Sequence, residues 1–171
     1  GFKNGTYRNL NIAIDAIAAA SRPHHFLSVT KEGHTAIFAT KGNEDCHIIL
    51  RGGRKPNYDA ASVESATEEL QKAKLPPHLM IDFSHANSHK DYRRQGEVAA
   101  NVAEQIAAGN RAICGVMIES HLVEGNQKAD GKKREELLYG QSITDGCIGF
   151  EMTEQVLQQL AKAVEKRRKR K

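Results

Sequence analysis

Aromatic residues and cysteines are scarce in this sequence, which has no tryptophan, 5% aromatic residues and 3 cysteines. Cys46, Cys114 and Cys147 lie far apart and form no CxxC pair, so we predict reduced, mostly buried thiols. No apolar run approaches the roughly 18 residues that a membrane span requires, and the amino-terminus lacks the pattern of a signal peptide. These shortages argue against a disulfide-rich secreted protein and a membrane protein, and they predict a cytoplasmic one.

Several common enzyme motifs are also missing. The sequence has no Gly-rich P-loop, no GxGxxG and no GxSxG elbow. Its 171 residues are enough for one domain with a hydrophobic core, and no linker composition divides it. We therefore predict a single domain over residues 1–171.

Positive charge is concentrated at the carboxyl end. The net charge is +4, but residues 166–171 are all Lys or Arg, so the rest of the chain is slightly negative. Such a tail indicates either an arm that binds nucleic acid or a solvated helix end, where cations suit the helix dipole. No aromatic residues are interleaved with the basic ones, which favours the helix end and predicts no nucleic-acid partner.

Short apolar runs alternate with helical patterns along the chain. An α/β fold with buried parallel strands is typical of this alternation. A β-rich pair of runs around Lys31-Glu32-Gly33 predicts a β-hairpin over 26–40, and a polar loop is predicted over 122–140. Strands are predicted over 47–50, 79–83 and 112–118. Helices are predicted over 10–20, 60–74, 93–108 and 153–167, with Val156, Leu157, Leu160 and Val164 on one face of the last.

Polar residues follow the ends of the short apolar runs. Lys3, Arg51, His85 and Glu119 each stand just after such a run, and Asp145 lies in the loop before the last helix. In a (β/α)8 barrel the active site is built at this end of the strands. The chain offers about four strands, whereas a barrel needs eight and about 250 residues. Either half of a barrel or an open sheet fits, and no room for a strand is expected before Lys3.

These polar residues have two interpretations each. His85, Glu119 and Asp145 suit a divalent metal such as Mn²⁺, Fe²⁺, Co²⁺ or Zn²⁺, but such residues are more often surface groups, and Asp145 also fits a turn. Lys3 and Arg51 suit a phosphate or carboxylate, or a strand-end salt bridge. The residues alone leave these alternatives open.

Longer motifs add a family resemblance. GFKNGT, ILRGG, DFSHANS, VMIESHLVEGNQ and SITDG together resemble the carboxyl-terminal half of a class I, microbial-type 3-deoxy-D-arabino-heptulosonate 7-phosphate (DAHP) synthase, over the whole chain. The resemblance implies a (β/α)8 TIM barrel, of which this chain supplies about the last four βα units plus an inserted β-hairpin. It also implies condensation of phosphoenolpyruvate with D-erythrose 4-phosphate, the first step of the shikimate pathway.

The resemblance assigns roles to individual residues. It implies that Lys3 and Arg51 hold phosphoenolpyruvate, and that His85, which also counts as catalytic, binds a divalent metal (Mn, Fe, Co or Zn) together with Glu119 and Asp145. The family's fourth metal ligand is a cysteine near the first barrel strand, and none of the three cysteines lies in that motif.

The resemblance also implies regulation and assembly. The hairpin matches the family's feedback site for an aromatic amino acid, with Phe26, Ser28 and Val29 as effector-binding positions. A homo-oligomer, dimer or tetramer, is implied for the full-length protein. The alternative is an inactive fragment, or a half-barrel subunit that needs an amino-terminal half.

Overall fold

A computed structural model describes residues 1–5 and 10–170 of the chain. The strands, numbered in chain order, are β1 (Phe2–Lys3), β2 (His25–Val29), β3 (Thr35–Ala39), β4 (Ile48–Leu50), β5 (Leu79–Asp82), β6 (Ile113–Met117), β7 (Val123–Asn126) and β8 (Gln141–Ser142). The α-helices are α1 (Asn11–Ala20), α2 (Ala60–Lys72), α3 (Gln95–Ala107) and α4 (Phe150–Lys169).

The central sheet consists of 4 parallel strands in the order β1-β4-β5-β6. Ile48 lies opposite both Phe2 and Leu79, so neighbouring strands start at the same level. Ile48, Leu79 and Ile81 are completely inaccessible to solvent. Uninterrupted apolar strands of this kind are typical of parallel sheets packed against helices. The predicted α/β fold with a parallel sheet is confirmed.

The first strand was not expected, because the sequence leaves no room for one ahead of Lys3. Phe2 and Lys3 nevertheless pair with β4, since the Phe2 amide donates to the His47 carbonyl at 2.9 Å and the Asn4 amide to the Ile49 carbonyl at 3.1 Å. Two residues are too few to produce a hydrophobic pattern, so only the backbone pairing reveals this strand.

The helices cover the sheet with one apolar face each. The N-cap residue of α2 is Asp59, whose carboxylate accepts a hydrogen bond from the Ser62 amide. The buried positions of the three later helices recur every three to four residues. They are Val63, Ala66 and Leu70 in α2, Val98, Val102 and Ile106 in α3, and Val156, Leu160 and Ala163 in α4.

The last helix differs from its predicted form. It begins at Phe150 and ends at Lys169, and Leu157, predicted to share one face with Val156 and Leu160, is 54% exposed while those two are buried. Val156, Leu160 and Ala163 lie on one side because they are spaced four and three residues apart. Leu157 is one residue beyond Val156 and so points about 100° away from that side.

The predicted hairpin is present. β2 and β3 pair in antiparallel register, with Phe26 opposite Phe38 and Ser28 opposite Ala36. Gly33 supplies the positive φ of 85° in the connecting turn, which a side chain would disfavour. Most of the apolar side chains of the hairpin are exposed to solvent, including Leu27 at 73% and Ile37 at 72%.

The prediction of a polar loop over residues 122–140 is partly wrong. β7 lies within this segment and pairs in parallel with β8, which follows directly after it. Polar side chains order the segment: the Gln127 amide group donates to the Leu138 carbonyl and accepts from the Leu138 amide, both at 2.8 Å. Side-chain amides replace an apolar core here, which is why hydrophobic periodicity does not predict these strands.

The basic tail contacts the end of α3. Arg167 donates to the Asn110 carbonyl and Arg170 to the Ala108 carbonyl, each at 2.9 Å. Both contacts satisfy carbonyls at a helix end, which supports the interpretation of the tail as a helix terminus. Residue 171 lies outside the described part. Across that part of the chain, no helix has the length and apolarity that a membrane crossing requires.

Candidate functional site

A cavity of about 230 Å³ opens at the carboxyl ends of the central strands. Arg51, His85, Glu119 and Asp145, four residues that the sequence singles out, contribute to its walls. Among the described residues, the lining consists of Arg51, His85, Ser88, Lys90, Tyr92, Glu119, Asp145 and Gly146. Side chains from the loops after β4, β5 and β6 therefore meet in one place, as the ends of adjacent parallel strands must.

Lys3 stands beside this cavity rather than in its lining. Its ammonium nitrogen lies 3.5 Å from the Oδ2 atom of Asp82, and the Lys3 side chain is 44% exposed. The same Oδ2 atom lies 2.8 Å from Nδ1 of His85. Asp82 thus connects Lys3 to His85 and so to the cavity. Thr6, the last residue of the motif that contains Lys3, lies outside the described residues.

Sequence reasoning did not identify Asp82 as part of the site. It is the last residue of β5, has no solvent exposure, and is the one charged side chain among the buried polar residues of the described chain. Its Oδ1 atom accepts a hydrogen bond from the Ser84 amide at 2.9 Å. A carboxylate inside an otherwise apolar strand, LMIDF, was a signal that could have revealed it, because a buried charge requires partners.

The His85 backbone is held in an unusual conformation. Its φ is 51°, in the left-handed region that non-glycine residues seldom adopt, and the Lys90 amide donates to its carbonyl at 2.7 Å. Such conformations persist where surrounding contacts enforce them, often at functional sites.

The loop after His85 lies close to the loop after β4. A Cβ at Gly52 would lie 2.8 Å from the Asn87 amide nitrogen. Gly52 is therefore required for the two loops to approach each other.

Three buried asparagines join the loops after β1, β4 and β5. Asn4 accepts from the Arg51 amide at 2.8 Å and donates to the Gly52 carbonyl at 3.0 Å. The side-chain oxygen of Asn57 accepts from the Gly52 backbone amide at 2.7 Å. The backbone amide of Asn57 donates to the side-chain oxygen of Asn87 at 2.8 Å. Because these side chains satisfy backbone groups of neighbouring loops, they fix the loops that carry Lys3, Arg51 and His85 relative to one another.

A glutamine has the same role for the fourth loop. Gln95 is completely buried, and its amide donates to the Glu119 carbonyl at 2.9 Å while its oxygen accepts from the Glu119 amide at 2.8 Å. Both atoms of one side chain therefore hold the backbone of Glu119. Sequence reasoning did not identify Gln95, since a glutamine in a helix is ordinarily a surface residue.

The carboxylates of Glu119 and Asp145 give their surroundings a negative electrostatic potential. Burial raises the pKa of the nearby Cys147 thiol, and the carboxylates of Glu119 and Asp145 raise this pKa further, against an opposing hydrogen bond with Ser142. Cys147 is consequently a protonated thiol at neutral pH. Cys46 and Cys147 are buried and Cys114 is exposed, so the prediction of free, mostly buried thiols holds for two of the three cysteines.

His85, Glu119 and Asp145 are suitable donor types for a divalent metal, but their side chains do not lie close enough together to bind one. A metal-binding histidine ordinarily has its second ring nitrogen held by a carboxylate, and Asp82 holds Nδ1 of His85 in this way. Glu119 and Asp145 would add oxygen donors from the same cavity. Among residues 1–5 and 10–170, however, no three His, Cys, Asp or Glu side chains stand close enough together to hold a metal ion. The three side chains would have to converge around a bound ion.

Arg51 has an unsatisfied donor at the cavity. Its Nε atom is buried and has no hydrogen-bond partner among residues 1–5 and 10–170. A buried guanidinium N–H without a partner is unfavourable, and a bound anion would satisfy it. Lys90, which sequence reasoning did not single out, lines the same cavity and adds a second cation.

The three predicted effector positions do not share one face of the hairpin. Alternate residues of a strand point to opposite sides, so Phe26 and Ser28 lie on one face and Val29 on the other. Phe26 stacks on Phe38 of the paired strand, with ring centroids 5.9 Å apart and an angle of 14° between the rings. The Phe26 face therefore offers an aromatic surface beside Ser28.

A parallel α/β sheet with polar residues gathered at the carboxyl ends of successive strands defines the general class of this protein. A model of the DAHP synthetase I family matches residues 1–158, and the chain belongs to that family.

Curated relatives match nearly the whole chain in sequence. "Phospho-2-dehydro-3-deoxyheptonate aldolase, Phe-sensitive" of Escherichia coli (strain K12) is 60% identical over 168 residues, which are 98% of this chain and 47% of the relative. "Phospho-2-dehydro-3-deoxyheptonate aldolase" of Haemophilus influenzae is 58% identical over 171 residues, 99% of this chain and 46% of the relative.

A solved structure agrees with them. That of phospho-2-dehydro-3-deoxyheptonate aldolase from Francisella tularensis superposes with a TM-score of 0.91 at 50% identity, covering 98% of this chain and 48% of that one. The chain thus spans about half the length of the curated relatives that it matches.

Proposed function

We propose that the protein carrying this chain condenses phosphoenolpyruvate with D-erythrose 4-phosphate to give DAHP and phosphate, the first step of the shikimate pathway. The observation that carries the proposal is the gathering of Arg51, His85, Glu119 and Asp145 around one cavity, with Lys3 beside it. Relatives with 58–60% identity bear the name of an aldolase for this product.

The cations account for recognition of phosphoenolpyruvate. This substrate carries a phosphate and a carboxylate, and Arg51 offers a buried Nε–H that no described residue engages. Arg51 would bind one of these anionic groups, and Lys3 would approach it from the neighbouring strand end. Fixed in this way, the methylene carbon of phosphoenolpyruvate would face the aldehyde, and much of the entropic barrier to their reaction would be removed by binding.

The carboxylates and the histidine account for the second reactant. His85, Glu119 and Asp145 would hold a divalent metal (Mn, Fe, Co or Zn), which supplies Lewis-acid stabilisation for the charge that develops on the aldehyde oxygen. The chain's own contribution is orientation: Asp82 holds the His85 ring, and Gln95 holds the backbone of Glu119.

We further propose that the central sheet is half of a (β/α)8 barrel, as the last four βα units. The four strands follow one another in chain order, all parallel, and β1 and β6 each have a free edge in the described sheet. Free edges favour pairing with further strands. In that arrangement residues 1–171 act as one domain, and the site is completed by residues from the other half.

Feedback by an aromatic amino acid is part of the same proposal. The hairpin presents Phe26, stacked on Phe38, next to Ser28, a surface suited to an aromatic ring and a hydrogen-bonding group. Val29, on the other face, would contact an effector only through a second surface. A relative with 60% identity bears the name "Phe-sensitive". A homo-oligomer and a cytoplasmic location stay predictions.

The test is an assay of the purified protein with both substrates and Mn²⁺, following DAHP formation and phosphate release together. Equal amounts of the two products are expected, and a chelator should abolish both. Phosphate release without DAHP, or no reaction with the full-length protein, would contradict the proposal.

An inactive fragment, or a half-barrel subunit that needs an amino-terminal half, is the competing candidate. The free edges of β1 and β6 favour it, because an open half of a barrel exposes strands that a closed barrel pairs. The 171-residue chain should then be inactive alone and gain activity when the amino-terminal half of a family member is added. Full activity of the chain alone would eliminate this candidate.

A further inference from the structure

Asp82 carries a charge in a place where an apolar residue would ordinarily stand. It ends β5, is completely buried, and is preceded in that strand by the apolar residues Leu79, Met80 and Ile81. A buried carboxylate is unfavourable unless hydrogen bonds and opposite charges satisfy it. Its side-chain partners are the two residues that the proposed function assigns to different ligands, Lys3 for phosphoenolpyruvate and His85 for the metal.

The contact with His85 determines which ring nitrogen carries hydrogen. An ionised carboxylate can only accept hydrogen bonds, and Oδ2 of Asp82 lies 2.8 Å from Nδ1 of His85. This distance fits a hydrogen bond from Nδ1–H to the carboxylate, which is the tautomer in which Nε2 keeps its lone pair. The Ser84 hydroxyl also lies 2.9 Å from Nδ1, but a hydroxyl can donate or accept and so does not decide the tautomer.

The contact with Lys3 uses the same oxygen. The Lys3 ammonium lies 3.5 Å from Oδ2, on a strand two positions away in the sheet order. One buried atom thus holds a cation of β1 and an imidazole that follows β5. Oδ1 is already engaged by the Ser84 amide at 2.9 Å, so the carboxylate cannot rotate without breaking that bond.

We propose that Asp82 is a positioning residue that couples the two binding functions of the site: it sets the His85 ring so that Nε2 is available to a divalent cation, and it anchors the Lys3 ammonium beside the anion. This inference rests on the proposed function. Asp82 itself does not line the cavity.

Asp82→Asn provides the discriminating variant. The asparagine oxygen would keep the hydrogen bond from the Ser84 amide, so its NH₂ group would face Nδ1 of His85 and the ammonium of Lys3. An NH₂ donor requires Nδ1 to accept, which moves the ring hydrogen to Nε2. It also removes the negative charge that anchors Lys3.

The experiment combines nitrogen-15 NMR of the histidine rings with binding titrations on the full-length protein. At about pH 8, where an ordinary histidine is neutral, wild-type His85 should show the Nδ1–H tautomer, and Asp82→Asn the Nε2–H tautomer. His85→Gln assigns the signal. Mn²⁺ binding should weaken about 10- to 100-fold in Asp82→Asn, and phosphoenolpyruvate should also bind more weakly.

Ser84→Ala is the matched control, because it removes the other group that contacts Nδ1 and leaves the carboxylate. It should keep the wild-type tautomer and the wild-type affinity for Mn²⁺. An Nε2–H tautomer in the wild-type protein overturns the proposal even if Asp82→Asn does not fold. Unchanged affinities for Mn²⁺ and phosphoenolpyruvate in folded Asp82→Asn overturn it as well.

Failure of the proposed function would look different. The wild-type protein would then form no DAHP, while the comparison of tautomers would still decide the role of Asp82.

Discussion

At the scale of single residues, buried amides hold the backbone on which the candidate site residues stand. Asn4, Asn57 and Asn87 connect three loops, and Gln95 holds the fourth through Glu119. Each amide offers both a donor and an acceptor, so one side chain can satisfy two backbone groups. The charged residues can then face the cavity while their backbone remains fixed.

Arg51→Lys should weaken phosphoenolpyruvate binding. Lysine keeps the charge but lacks the Nε–H and the fork of donors that suits phosphate or carboxylate. A hydrogen bond between charged groups contributes about 1.5–3 kcal/mol, so the dissociation constant should rise about 10- to 100-fold in a binding titration. Arg111→Lys, on an exposed arginine before β6 and outside the cavity lining, is the control and should leave the constant unchanged. Equal binding by both variants would refute the role of Arg51.

Gln95→Leu should destabilise the fold and disturb the site. Leucine has a similar volume but leaves the Glu119 amide without its partner, while the Glu119 carbonyl keeps the hydrogen bond from the Ile148 amide. The loss should lower the free energy of unfolding by about 2 kcal/mol, measured with urea, because unsatisfied buried groups are unfavourable. Gln158→Leu on the exposed side of α4 should change it by less than about 0.5 kcal/mol. A comparable loss in both would mean that the contacts of Gln95 contribute nothing special.

At the scale of secondary-structure elements, local signals and packing contribute differently. α2 has a complete local signal: Asp59 accepts from the Ser62 amide at 3.0 Å and from the Ser62 hydroxyl at 2.7 Å. The hairpin of β2 and β3 has its own turn and register but little burial. The helix should therefore respond to changes at its cap, and the hairpin to changes at its exposed face.

Asp59→Ala should lower the free energy of unfolding by about 1 kcal/mol, since a helix loses its N-cap acceptor. Thermal or urea unfolding measures this loss. Asp59→Asn keeps an oxygen that can accept from the Ser62 amide and should stay close to the wild-type value. If alanine and asparagine destabilise equally, the capping hydrogen bond is not the cause.

Ser28→Leu should relieve feedback inhibition if the proposed effector surface is correct. The larger apolar side chain would fill the space beside the Phe26–Phe38 stack and remove the hydroxyl. The concentration of phenylalanine that inhibits by half should rise about tenfold, the effect of losing roughly 1.4 kcal/mol of binding. Leu27→Ser, on the opposite face, is the control. Inhibition that depends on Leu27 rather than on Ser28 would place the effector on the other face.

At the scale of the whole molecule, the arrangement of the sheet is the main structural fact. The strands β1, β4, β5 and β6 bring loops that are far apart in the chain to one edge. Cys114 lies on β6, the last strand of that order, and is exposed. Its accessibility therefore reports on whether the edge is covered.

Alkylation of Cys114 should test the half-barrel proposal. Neighbouring protein atoms partly desolvate this thiol and raise its pKa even though the residue is exposed, so less thiolate is present at a given pH and the rate-against-pH curve should lie at higher pH than that of a free thiol. In the full-length protein the reaction should be slower still than in the 171-residue chain, because a further strand would cover β6. Mass spectrometry after iodoacetamide treatment measures both rates. Equal rates in the two proteins would contradict pairing at this edge.

The elements that the sequence predicted correctly are those with local signals. The helix bounds at α1, α2 and α3 follow from apolar spacing and caps, and the hairpin from its turn. The predictions failed where pairing is long-range or polar, as at Phe2–Lys3 and at the pairing of β7 with β8. Leu157 was misplaced because helical spacing alone allowed two overlapping faces.

The sequence by itself determined the family, the α/β alternation and the residues Lys3, Arg51, His85, Glu119 and Asp145, because strand-end position and motif spacing are local properties. Only the tertiary structure decided that four of them share one cavity and that Lys3 reaches it through Asp82. It also decided the buried partners Gln95 and the three asparagines. Contacts of this kind join positions dozens of residues apart, and such pairing energies are absent from any local pattern.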